Sequence, residues 1–148
     1  MGEPADAAGD AARGGEALLQ RARARIESAD PAGAIEAFDQ AVELRPNDPA
    51  LRLEYGLALE AIGELDDAAY QLLQGEKRAP DDPRLSRALG TVFYKKGLYD
   101  KAVRFLGRAT KLAPNDARAF FSLGVVHDAR HDPGAAIAAL REAIRLDP

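Results

Sequence analysis

Apolar residues along the chain recur at helical spacing, in short runs separated by polar breaks. Val103, Leu106 and Thr110 share one side of a helix, as do Ile137, Leu140 and Ile144, because positions three, four and seven apart lie on one face of a 3.6-residue turn. The breaks carry signals of their own. Asp48-Pro49 and Asp82-Pro83 join a carboxylate that can accept a free helix-end N–H to a ring whose φ is preset for a first turn. Asp116 caps alone, Asp30-Pro31 and Asp132-Pro133 repeat the device, and Gly63 and Gly97 supply tight turns. An all-α chain of paired amphipathic helices follows.

The pairs have a period. Pro46, Pro80, Pro114 and Pro148 stand 34 residues apart, and so do Ala34, Ala68, Ala102 and Ala136. Ala41, Gly75, Ala109 and Ala143 keep the same step, as do Ala22, Gly56, Gly90 and Gly124. Small residues at these places let two helices approach closely, while Tyr55, Leu72, Leu89, Phe93, Leu106 and Leu123 are expected to fill the space between units. This arrangement of small residue, Ala, Ala and Pro in a 34-residue unit resembles the tetratricopeptide repeat family, with Ala22 and Gly75 as departures. The likeness covers units at 15–48, 49–82, 83–116 and 117–148, and leaves residues 1–14 as a flexible acidic and Gly/Ala-rich tail. It implies a right-handed α-solenoid of antiparallel helix pairs whose first helices line a concave groove for a peptide or helix of another protein. No enzymatic activity or cofactor is implied.

Composition narrows the function classes. Net charge is −4 and cysteine is absent, which argues against a bulk nucleic-acid binder and removes disulfides, thiol nucleophiles and Cys-ligated zinc. The start has no apolar secretion core and no run approaches the roughly 18 apolar residues of a membrane span; a cytoplasmic protein is the expectation. Ala (31 residues) and a preference for Arg over Lys (15 against 5) point to a GC-rich, bacterial source. Charge is unevenly placed: repeat three has eight Lys or Arg against two acids, and repeat two has three against eight.

The resemblance places the groove at first-helix positions that do not face inward: Leu53, Leu57, Arg84, Arg87, Thr91, Tyr94, Lys95, Arg118, Phe121 and Val125. Phe120 and Phe121 are adjacent, so both cannot face the same core, and Phe121 is read as the exposed ring. Leu53, Leu57 and Val125 add apolar area, and aromatic and Arg residues are enriched at binding hot spots. The competing reading is that these side chains wedge between units. Arg84, Arg87 and Arg118 suit a partner with acidic residues beside apolar anchors. Lys101, Arg104, Arg108 and Lys111 on an outer helix read as a solvated face, too thin a footprint for nucleic acid without stacking aromatics. The carboxylate clamp of chaperone-binding relatives does not fit: its positions hold Leu19, Arg23, Glu54, Arg84 and Ala88, or Leu53, Leu57, Ala88, Arg118 and Ser122.

His127 and His131 stand four apart in "HDARHD", a spacing that lets two imidazoles share a metal. Asp128 replaces the catalytic Glu of the zinc-protease motif and no third ligand is evident, so ordinary packing and exposure are preferred. Neither a phosphate-cradling Gly loop nor a Ser-His-Asp set stands out. At the chain's start, Arg21 and Arg25 occupy places that later units fill with Tyr55, Leu89, Leu123, Leu59, Phe93 and His127, as suits a polar cap. Ile137, Leu140 and Ile144 instead predict an apolar end face, a second binding surface through which repeat four self-associates or docks on another protein. A regulatory segment of a longer enzyme is the remaining alternative.

Overall fold

The computed structural model describes residues 7–148. Eight helices follow in order: α1 (Ala7–Glu27), α2 (Pro31–Leu44), α3 (Pro49–Ala61), α4 (Leu65–Arg78), α5 (Pro83–Lys95), α6 (Tyr99–Leu112), α7 (Ala117–Ala129) and α8 (Pro133–Leu146). No strand occurs among the described residues. The aspartates act as the sequence foretells. Asp30, Asp48 and Asp132 accept the N–H of Gly33, Leu51 and Ala135 at 3.0, 3.1 and 3.1 Å, and Asp82 and Asp116 those of Arg84 and Arg118 at 2.9 and 3.0 Å. Each satisfies an N–H that the first turn leaves without an intrahelical partner.

One boundary differs from the expectation. Residues 7–14, read as flexible tail, are the first two turns of α1, and the rest of that tail lies outside the described residues. Gly14 and Gly15 explain the extension, because α1 here runs against the end of α2. A Cβ at Gly14 would stand 3.2 Å from Leu44 Cδ1, and one at Gly15 would stand 2.3 Å from Arg45 Cδ.

Within each hairpin a small residue sits under a branched one. A Cβ at Gly56, Gly90 or Gly124 would fall 2.5, 2.3 or 2.6 Å from the Cγ of Leu72, Leu106 or Leu140, so only hydrogen fits. In the first unit the same register brings together Ala22 and Phe38, both fully buried, and the Phe38 ring stacks on Tyr55 at 5.3 Å. Tyr55 Oη donates to Asp39, and burial followed by this carboxylate pushes the phenol's pKa well above its ordinary value. The four hairpins stack in chain order, with α3 against α5 and α5 against α7. The first helices therefore form the inner layer of a solenoid, and the apolar core runs continuously from Leu19 to Val126.

The turns between paired helices need a left-handed residue. Gly63 and Gly97 adopt φ of 83° and 75°, while Ala29 and His131, at the same place in the outer units, adopt 56° and 60°. Those two residues carry steric strain that glycine would not.

Candidate functional site

Four depressions run along the inner face and share walls. The first, of about 560 Å³, lies between α1, α2 and α3 and ends at Leu57. Leu57 also lines the second, of about 430 Å³, which extends over Arg84, Arg87 and Thr91. Thr91 begins the third, of about 200 Å³, with Tyr94, Lys95, Phe121 and Val125. Phe121 is shared with the fourth, of about 370 Å³, bounded by Arg118, Leu140 and Ile144 at the C-terminal end. The concave face is thus one trough, linked by three side chains at Leu57, Thr91 and Phe121.

All ten residues expected there line it, but not all in the expected state. Phe121 is 57% exposed and Leu57 44%, whereas Phe120 and Val125 are half-buried. Leu53 departs from the reading: only 7% of it is exposed, because it belongs to the core cluster and offers the trough an edge rather than a protruding anchor. Tyr94 leans on Tyr99 with centroids 5.9 Å apart. The Thr91 hydroxyl donates to the Arg87 carbonyl at 3.2 Å.

The cations are more committed than their letters suggest. Arg84 turns back to its own cap, donating from Nε and Nη2 to Asp82 at 3.1 and 2.8 Å, and this pairing holds the Asp82 carboxyl below its ordinary range. Arg87 reaches Asp116 at 3.4 Å, and Lys95 bonds Glu60 in the neighbouring unit. At the other end Arg23 clasps Glu54 in a two-toothed pair at 2.9 and 2.5 Å. Among the described residues Arg118 has no carboxylate partner for its guanidinium, and it stands exposed beside Phe121. One cation on the trough is therefore open for an incoming acid, against the three the sequence proposes.

Outside the trough, Lys101 and Arg104 lie over the rings of Phe93 and Phe105 at 5.4 and 5.3 Å, and Arg108 bonds Glu76 at 2.8 Å. The outer cations so cover aromatic surface and bridge units. His131 is in the turn beyond α7, its N–H donating to the Asp128 carbonyl at 2.9 Å, so it does not share a helix face with His127. The Nδ1 atom of His127 is buried without a hydrogen-bond partner. Among the described residues no three His, Cys, Asp or Glu side chains converge as a metal site would require, and no helix is long and apolar enough to cross a membrane.

Sequence reasoning missed Ile26, Ala61 and Ile62, which wall the first and largest depression with Leu57. The signal was there in register. The same places one unit on hold Glu60, Lys95 and Lys96, so an apolar trio replaces three charges.

The profile of the tetratricopeptide repeat matches residues 19–83 and 87–148. No curated protein matches the chain in sequence. Among solved structures, MamA is similar, with a TM-score of 0.87 at 23% identity over 93% of this chain and 75% of that one. MamA residues 41–end from Desulfovibrio magneticus RS-1 give 0.85 at 24% over 90% and 75%. YrrB, a repeat protein of the same kind with an unusual peptide-binding site, gives 0.82 at 19% over 90% and 69%. These likenesses establish the fold, and the profile, spanning most of the four units, establishes the kinship: this chain belongs to the tetratricopeptide repeat family.

Proposed function

We propose that this chain is a non-enzymatic scaffold that holds a segment of a partner protein along its concave face. The observation that carries the reading is the continuous trough, in which an exposed aromatic ring, Phe121, stands beside the unpaired Arg118. Solvent-exposed apolar area next to an uncommitted guanidinium favours a segment with apolar anchors and a carboxylate, since the acid gains a charge-assisted bond without breaking one already made. Leu57 and Tyr94 serve as further apolar contacts, and Arg84 contributes where an acid on the partner displaces Asp82. The peptide-binding site of YrrB, on the same fold, supports this use of the scaffold. Capture of partners from a lysate by the wild type and by Phe121→Ala/Arg118→Glu is the test. Loss of the same partners is expected, and equal recovery refutes the groove reading.

A second reading has its own observation. Ile144 is 64% exposed, whereas Thr110, its equivalent one repeat earlier, is 9% exposed beneath the next unit. Ile137 is 51% exposed beside it. An apolar face of this kind supports self-association through repeat four or docking on another protein. Light scattering decides the first of these: a monomer mass that is constant across a wide concentration range removes self-association.

A further inference from the structure

The junction between the first and second repeats keeps open a space that the other two junctions fill. Between repeats two and three, Glu60 bonds Lys95 and Asp66 bonds Lys96. At the junction of repeats three and four, the Tyr94 and Tyr99 rings of repeat three, which stand two repeats on from Ile26 and Pro31, meet at 5.9 Å, and Arg130 of repeat four pairs with Asp100 at 2.9 Å. One repeat before Glu60, Lys95, Asp66 and Lys96 stand Ile26, Ala61, Ala32 and Ile62. Neither ion pair nor ring pair forms from those residues, and what remains is the depression of about 560 Å³. Its volume well exceeds the roughly 150 Å³ that accommodates a benzene ring in an apolar cavity.

We propose that this pocket receives one bulky apolar side chain, aromatic or branched aliphatic, of the segment held in the trough. The inference rests on the groove reading and adds the chemistry and the direction of that segment. Three observations select the occupant. The one charged wall residue, Glu54, is already clasped by Arg23, which leaves no charge to attract an ion or a polar head group. Leu57 forms both the wall of the pocket and the wall of the next depression, so the mouth opens onto the trough and suits a side chain hanging from a backbone that lies there. Finally, the one cation of the trough that lacks a carboxylate partner among the described residues, Arg118, stands in the last repeat. A segment with an apolar anchor at one end and a carboxylate at the other is thereby bound in one direction only, anchor toward α1 and acid toward α7.

The repeat itself supplies the control. Ile26→Glu/Ala61→Lys copies the Glu60–Lys95 pair into the first junction and fills the pocket with groups the fold already accommodates one unit on. Methyl-labelled protein is titrated with N-acetylphenylalaninamide, N-acetylleucinamide and N-acetylglycinamide, and with dodecanoate as an acyl-chain probe. Saturating shifts at Ile26, Leu57 and Ile62 are expected with the first two, none with the glycine amide, and binding weakened about tenfold or more in the double variant. Should the double variant misfold by circular dichroism, Ile62→Lys, at an exposed position, makes the same comparison. Phe121→Ala/Arg118→Glu is expected to bind the amides as the wild type does. That variant separates the two claims: lost partner capture with unsaturable amide shifts overturns the pocket and leaves the groove, and saturable shifts with undiminished capture overturn the groove. Linear shifts, equal binding by the filled variants, or tighter binding of dodecanoate than of either amide would each overturn the proposal.

Discussion

A methyl group at Gly90 tests how the helices of the concave layer are set. Its carbon would lie 2.3 Å from Leu106 Cγ, 2.8 Å from Cδ2 and 3.1 Å from Cδ1, with Leu106 fully buried. The closest atom is the branch carbon, one bond from the backbone-fixed Cβ, so a rotamer change does not clear it. Overpacking costs about 1–3 kcal/mol, with the upper half applicable here, and replacing a mid-helix glycine returns about 1 kcal/mol. Gly90→Ala is therefore expected to destabilise by about 1–2 kcal/mol. Leu106→Ala alone costs about 2–5 kcal/mol. In that background the sign reverses. The added methyl enters vacated space, gaining roughly 0.8 kcal/mol of burial on top of the helix term, so Gly90→Ala stabilises by about 1–2 kcal/mol. Urea unfolding of the four proteins by circular dichroism yields the coupling, expected near 3 kcal/mol, the top of the range for residues in contact. If Gly90→Ala stabilises both backgrounds equally, helix propensity alone governs the site and the close approach has no energetic role. The outcome bears on function, because α5 carries Arg87, Thr91 and Tyr94 into the trough.

Two other predictions follow from the hairpin ends. Ala29→Gly and His131→Gly remove left-handed strain of about 1–2 kcal/mol and add unfolded-chain entropy of about 0.5–1 kcal/mol, so each should raise the melting temperature; a fall in either would show that the turn is not strained. Asp30 is held below its ordinary value first by the Gly33 N–H and then by Arg25, and Asp82 first by Arg84. Since both folded values are depressed, the stability they add is present above about pH 4 and is lost as pH falls through the folded values. Asp30→Asn and Asp82→Asn keep a capping oxygen without the charge, and their melting temperatures should fall less steeply on acidification than that of the wild type; identical slopes would refute the assignment.

The repeat, the eight helices and their caps were legible because each depends on residues near in sequence: an aspartate and the N–H two or three places on, or a glycine at a turn. Close approach of paired helices was legible too, in the small residues that recur every 34 places, but Leu72 and Leu106, read as filling space between units, lie over Gly56 and Gly90 inside their own hairpins. The start of α1 was not. It depends on Gly14 and Gly15 meeting Leu44 and Arg45, contacts between opposite ends of one hairpin, and glycine-rich sequence by itself reads as tail. Leu53 was misread for a related reason. Its position in the helix is that of a groove residue, but whether a side chain there protrudes depends on how closely the adjacent unit sits.

Charge gave the most instructive difference. The acidic second repeat and basic third repeat read as a field for an acidic partner, yet Glu60, Asp66 and Glu76 of one bond Lys95, Lys96 and Arg108 of the other. The imbalance is in large part a complementary seam between neighbours. Such half-exposed pairs each contribute little to stability, about 0–1 kcal/mol, and do more to fix the register in which one unit meets the next. A partner competing for those cations must first displace a carboxylate already tethered at high local concentration. Among the described residues Arg118 has no such competitor. On the groove reading, recognition of an acidic segment turns on how many cations the scaffold leaves unpaired rather than on how many it contains, and that number is set by a helix cap at Arg84, a contact within one repeat at Arg87 and a contact between repeats at Lys95.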